Sequence, residues 1–143
     1  MECEFPTVQS NKDEIKKIFE ETKTIAIVGL SPKEDKPSNM VAQYLQKAGF
    51  KIVPVYPKGD IILGEKVYRS LDEIEEPIDM VDIFRKPDVV SLVVDQAIAM
   101  KNIKTIWTQI GIVNNEAAQK AREAGMNVVQ NLCTKLEHKD IFN

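Results

Sequence analysis

The chain reads as a doubly wound α/β protein: a parallel five-stranded sheet with helices on both faces. Three observations carry that reading. Five short apolar runs, Thr24–Val28, Lys51–Val55, Ile78–Phe84, Thr105–Thr108 and Asn127–Val129, recur along 143 residues, separated by segments of helical period. The runs lack strict apolar–polar alternation, as expected of strands covered on both faces. The first run stops at Gly29 and passes through a loop rich in proline and charge, Gly29–Ser38, directly into a helical pattern. Right-handed crossovers then give three α/β/α layers in a single domain, with strand order 3-2-1-4-5 expected.

Each element follows from local chemistry. Asn11–Glu21 is amphipathic, with Ile15, Ile18 and Phe19 on one face, and belongs to an N-terminal helical extension over residues 1–22. After the first strand, Ser38 or Asn39 can cap a helix carrying Met40, Val41, Tyr44, Leu45 and Ala48, which Gly49 ends. Tyr56-Pro-Lys-Gly59 closes the second strand, and Ile61–Val67 is a loop with a short extended piece. Ser70 and Glu73 stand at capping-box spacing around a helical turn. Pro87 or Asp88 opens a helix through Met100, and Asn114–Ala124 is another with Gly125 in the C-cap position. Lys135–Phe142 is a terminal helix. No repeat, linker or low-complexity segment marks a second domain within residues 1–143.

Composition narrows the classes of function. A net charge of −3 argues against a general nucleic-acid binder, which would carry a basic stripe. No apolar run approaches the ~20 residues needed to cross a bilayer, and Met1–Pro6 has no secretory pattern, so a cytoplasmic protein is expected. Cys3 and Cys133 form neither a CxxC pair nor a zinc spacing, and the single histidine, His138, leaves no nitrogen-rich metal cage. No metal site and no catalytic residues are assigned. His138 is expected to be a surface or packing residue, and Trp107 a core residue.

In a doubly wound sheet the ligand crevice lies beyond the carboxyl ends of the strands, where the winding reverses, here expected between strands one and four. The loops at that edge carry Lys33 and Lys36, then Lys58, then Arg85 and Lys86, which suits an anion. With 19 Lys and Arg in the chain, some loop cations are expected regardless. Stronger motifs are absent. Ser31 stands where GxGxxG has its second glycine. No Gly-Lys-Ser/Thr follows, and Lys33 breaks a GxSxG elbow. Strand two ends in Val55-Tyr-Pro-Lys58, without the acid that holds a free ribose diol, which favours a phosphorylated ribose.

At these residues the chain resembles the small stand-alone CoA-binding proteins of the succinyl-CoA synthetase α-subunit type. The matching pieces are Ala26-Ile-Val-Gly-Leu-Ser31, Lys36-Pro-Ser38, Pro54-Val-Tyr-Pro57, Leu63-Gly-Glu-Lys66, Val81-Asp-Ile-Phe-Arg85, Trp107-Thr-Gln109, Cys133, Lys135 and Glu137-His138. The resemblance implies a Rossmann-like fold that binds coenzyme A (CoA) or an acyl-CoA. Gly29, Leu30 and Ser31 would approach the nucleotide, and Lys36, Pro37 and Ser38 the phosphates. Tyr56, Pro57 and Lys58 would flank the adenosine and its phosphates. Phe84 and Arg85 would line the site, with Gln109 as its far wall. Tyr56 stands where many relatives have asparagine. Cys133 either meets the CoA thiol, with a mixed disulfide in reach, or is a small buried apolar residue. A non-catalytic or regulatory CoA binder, monomeric or homodimeric, is the leading expectation. An NAD(P)-binding oxidoreductase or redox sensor is one alternative. The other is the CoA-binding subunit of an acyl-CoA synthetase, which would need a partner chain.

Overall fold

The computed structural model describes residues 5–143; Cys3 lies outside them. In chain order the elements are α1 (Lys12–Glu20), β1 (Thr24–Val28), α2 (Pro37–Lys47), β2 (Lys51–Val55), β3 (Ile61–Ile62), β4 (Glu65–Lys66), a 3-10 turn (Leu71–Glu73), β5 (Met80–Ile83), α3 (Pro87–Met100), β6 (Thr105–Thr108), α4 (Asn115–Glu123), β7 (Asn127–Val129) and α5 (Thr134–Phe142). Five strands form one parallel sheet, and β3 and β4 make a separate two-stranded hairpin.

Successive strand residues point to opposite faces, and here both sets are mostly apolar. Ala26, Val28, Val53, Val55, Val81, Ile83, Ile106 and Val128 pack under α3 and α4, together with Leu71, Ile74 and Ile78. Ile25, Ile27, Ile52, Met80, Trp107 and Val129 pack under α1, α2 and α5. Trp107 is fully buried, and its Nε1–H donates to the Leu132 carbonyl at 2.7 Å. Ile15, Ile18 and Phe19 of α1 belong to that second core, so the N-terminal helix is an integral layer of the domain.

The strand order differs from the expected one. It is β2-β1-β5-β6-β7, so the third strand of the main sheet pairs with β1 rather than with β2. The outer flank of β2 is already taken. Tyr68 N–H donates to the Pro54 carbonyl at 2.9 Å and Tyr56 N–H to the Tyr68 carbonyl at 2.9 Å, while Pro54 has no N–H to offer a further strand. The chain must therefore cross to the free flank of β1. The winding then reverses between β1 and β5, and the crevice moves to that point.

Helix starts follow recognisable chemistry with one change. Asn11 caps α1 as a full box: its side chain accepts from Glu14 N–H at 2.9 Å, and Glu14 Oε1 accepts from Asn11 N–H at 2.8 Å. Asn114 caps α4 by accepting from Ala117 N–H at 3.0 Å. Helix α2 starts earlier than expected, with Lys36 in the cap position and Pro37 at the first helical position. Proline suits that place, because its φ is preset and its missing N–H is not needed there. Ser38 and Asn39 are thereby released from capping and turn to the loop before them.

The last strand, β7, is covered by the N-terminal segment. Ser10 Oγ donates to the Val128 carbonyl at 2.8 Å, and Gln9 both donates to the Gln130 carbonyl (2.7 Å) and accepts from Gln130 N–H (2.9 Å).

Candidate functional site

The site is built where the loops after β1 and β5 touch. Gly29 has φ of +91°, and a side chain there would stand 3.0 Å from Arg85 Cδ and 3.1 Å from the Phe84 carbonyl oxygen. Only glycine accepts both the left-handed backbone and the close approach. Backbone bonds fix the corner: Gly29 N–H donates to the Val55 carbonyl at 2.9 Å and Phe84 N–H to the Val28 carbonyl at 2.8 Å. Gly29→Ala is expected to lower stability by about 1–3 kcal/mol and to displace Arg85. Urea unfolding checks the first effect, and an unchanged midpoint would show that the two loops can part freely.

From Gly29 the chain folds onto the start of α2. Ser31 N–H donates to Ser38 Oγ (3.0 Å), Asn39 Nδ2 donates to the Ser31 carbonyl (2.8 Å), and Lys33 N–H donates to Ser31 Oγ (3.1 Å). Both serine hydroxyls accept within the loop and keep their protons for a ligand. The Ser31 amide, by contrast, is already used. Leu30 is fully buried under α1 and α2, so its side chain takes no part in the site.

No side chain caps α2, and among the α-helices of the described residues it alone has no acid in its first turn. Its positive end and first N–H groups are thus left for an anion. Gly29, Ser31, Lys36, Pro37, Ser38, Tyr56, Pro57, Phe84 and Arg85 line a groove of about 500 Å³ beside it. Lys58 stands exposed in the turn just past Pro57. Among the described residues none of Lys36, Lys58 and Arg85 forms an ion pair; the paired lysines are Lys12, Lys17, Lys51 and Lys120. Unpaired cations clustered at one rim in an acidic chain favour an anionic ligand there.

A larger depression of about 650 Å³ lies at the opposite edge, lined by Lys101, Asn102, Lys104, Gly125, Met126 and Asn127 among others. It sits where α3 and α4 end, so helix carbonyls rather than amides face it. That polarity disfavours a phosphate, and the groove at the carboxyl edge is the better candidate.

Gln109 does not form a wall of the groove. It is buried, with Nε2 donating to Asp82 Oδ1 at 2.7 Å and lying 3.0 Å from Thr134 Oγ1, which itself donates to Asp82 Oδ2 at 2.9 Å. Asp82, in the middle of β5, is fully buried, and that burial pushes its pKa up from the ordinary 3.8 to about 7 against the pull of its two hydrogen bonds. Gln109 is therefore a partner of a core carboxylate. The signal for this trio was present in the sequence as a lone acid within Met80–Ile83, but its partners come from distant elements.

Cys133 precedes α5 as a half-buried residue packed against the α1–α2–α5 core, outside the groove lining. His138 Nδ1 lies 2.8 Å from the Tyr44 hydroxyl, its ring among those of Phe19, Phe50 and Phe142; burial lowers its pKa. That setting is one of packing. Among the described residues no cluster of His, Cys, Asp and Glu is placed to hold a metal ion. No helix of these residues is long and apolar enough to cross a membrane.

One further cation, outside the expected set, reaches the turn after β2 beside the groove. Arg69 Nη1 donates to the Tyr56 carbonyl at 3.2 Å. Nothing in the local sequence announces this contact, which depends on Tyr68 lying beside β2.

Sheet order, reversal point and bare helix start together define a Rossmann-like α/β protein with its crevice at the carboxyl edge. Comparison with known proteins carries this further. The chain belongs to the CoA binding domain family, whose model matches residues 23–139. It is 41% identical over 128 residues to the uncharacterized protein YneT of Bacillus subtilis, covering 90% of this chain and 94% of that one. A solved structure of a hypothetical protein from Pyrococcus horikoshii superposes with a TM-score of 0.90 at 38% identity over the full length of both chains. A 74-residue stretch is 35% identical to the ADP-forming acetate–CoA ligase of Methanocaldococcus jannaschii, covering 52% of this chain and 10% of the ligase.

Proposed function

We propose that this protein binds coenzyme A, free or acylated, in the groove between the β1 and β5 loops, without itself catalysing a reaction. The observation that carries the reading is the uncapped start of α2 flanked by Lys36 and Arg85, with Lys58 in the turn after β2, none of the three forming an ion pair among the described residues. CoA bears a diphosphate and a ribose phosphate, which match a helix N-terminus flanked by separate cations. Membership of the CoA binding domain family supports the same ligand. Tyr56, Pro57, Pro37 and Phe84 supply an apolar lining for the flat base and the pantetheine stem. Gly29 and the hydroxyls of Ser31 and Ser38 complete the contacts. Cys133, outside the lining, would meet only the far end of a bound CoA. A cytoplasmic protein is part of this reading.

Thermal unfolding with CoA, acetyl-CoA, NAD⁺ and NADP⁺ tests it. CoA at a hundred times its Kd stabilises by about 2.7 kcal/mol, a rise in Tm of roughly 8 °C for a domain of this size. Stabilisation by NAD⁺ or NADP⁺ with none by CoA would replace this reading with that of a dinucleotide-dependent redox protein.

The ligase stretch favours a second reading, in which the chain is the CoA-binding subunit of an acyl-CoA synthetase. The match spans 10% of that ligase, so this reading adds a partner chain that carries the nucleotide-activating parts. Its signature would be acyl-CoA synthesis on mixing with such a chain, and none by either alone.

A further inference from the structure

The cations around the groove fall into two groups. Lys36 and Arg85 line it at the α2 start, against the Gly29 corner. Lys58 and Arg69 stand at the end of β2, one strand away. The second group is held by the chain that returns along β2. Tyr68 bridges Val55 in parallel register, and its carbonyl accepts from Tyr56 N–H at 2.9 Å. This brings the next side chain, Arg69, over the turn that opens at Tyr56, where Nη1 donates to the Tyr56 carbonyl at 3.2 Å. Glu73 Oε1 accepts from the Arg69 backbone N–H at 2.8 Å, but among the described residues no carboxylate pairs with the guanidinium. One of five N–H donors of a planar fork is used, and the rest are available to a phosphate. The tether also removes part of the freedom that an exposed arginine would lose on binding.

We propose that Arg69 is a specificity-determining residue: with Lys58 it offers a monophosphate subsite at the β2 end of the groove, which takes the ribose 3′-phosphate and separates CoA from its dephosphorylated form. The proposal rests on the reading of the groove as a CoA site. It assigns the diphosphate to Lys36, Arg85 and the α2 start, and the lone phosphate to the turn that Arg69 braces.

Calorimetric titration of the full chain and of Arg69→Met with CoA and with 3′-dephospho-CoA tests it. The parent is expected to bind CoA at least about tenfold more tightly than dephospho-CoA, and Arg69→Met to lose about tenfold for CoA while dephospho-CoA stays within about twofold. The preference should shrink as salt is raised. Arg69→Gln, which removes the charge but keeps a polar side chain, should behave like Arg69→Met; it also serves if Arg69→Met fails to fold. Equal weakening of both ligands would make Arg69 only a brace of the turn and overturn the subsite. Equal affinity of the parent for both ligands would overturn it too, while leaving the CoA groove intact. Failure of the parent to bind either ligand would instead overturn the groove reading.

Discussion

Replacing Lys36, Lys58 and Arg85 together by alanine is expected to weaken CoA binding at least about a thousandfold. Each cation can make a charge-assisted contact worth ~1.5–3 kcal/mol. Contacts to one ligand do not add fully, so the sum is discounted; a thousandfold corresponds to about 4 kcal/mol. The fold should survive, because among the described residues none of the three side chains holds an ion pair and Lys36 makes no side-chain cap. Surface changes of this kind move stability by about 0.5 kcal/mol or less. Calorimetry on the refolding-competent variant reads the effect directly. Unchanged affinity would move the ligand away from this rim, and a loss that salt does not attenuate would show that charge is not its cause.

The contribution of Asp82 to stability should fall as pH rises from about 4 to about 7, and Asp82→Asn should remove that contribution. The buried carboxyl has its pKa raised to about 7, against 3.8 in the exposed chain. Between these values the folded protein holds a proton that the unfolded chain has released. Folding then takes up a proton, and stability drops by about 1.4 kcal/mol per pH unit. The contribution is complete below the lower pKa and gone above the upper one, about 4 kcal/mol across the window. Asparagine keeps an acceptor for Gln109 Nε2 and places a donor opposite Thr134 Oγ1, so the trio remains satisfied without a charge. Urea unfolding of parent and variant at pH 4.5, 6 and 7.5 gives the comparison. The variant should match the parent at the acid end and exceed it by a few kcal/mol at the alkaline end. A difference that is constant with pH would mean that Asp82 titrates alike in both states.

Much of this architecture can be read from the chain because the strands are short runs rich in apolar and β-branched residues between segments of helical period; β1, β2, β6 and β7 lie where those runs lie. The order of the strands cannot be read that way. It depends on Tyr68 occupying the flank of β2, a pairing between residues with no shared pattern. The groove residues at Gly29, Lys36–Ser38, Tyr56–Pro57 and Phe84–Arg85 were legible because they follow strand ends, and strand ends meet at one edge whichever order the sheet adopts. Gln109 follows a strand end as well, yet its amide turns inward, because a carboxylate from the neighbouring strand would otherwise lack a donor. Ser38 looked like a cap and became a loop clasp, since Pro37 already suits the first helical position. Arg69 reaches the Tyr56 carbonyl only through the chain's return along β2, which composition and period do not encode.

Both outer strands are poor templates for strand addition. At one end Gln9 and Ser10 occupy the backbone groups of Val128 and Gln130. At the other, Pro54 withholds an amide and Tyr68 already bridges Val55. A second molecule, whether a twin or a synthetase half, thus finds no open seam along the main sheet of the described residues. It would settle on helix surfaces, on the β3–β4 hairpin or at the carboxyl-edge groove, where docking and the proposed ligand would compete for the same ground.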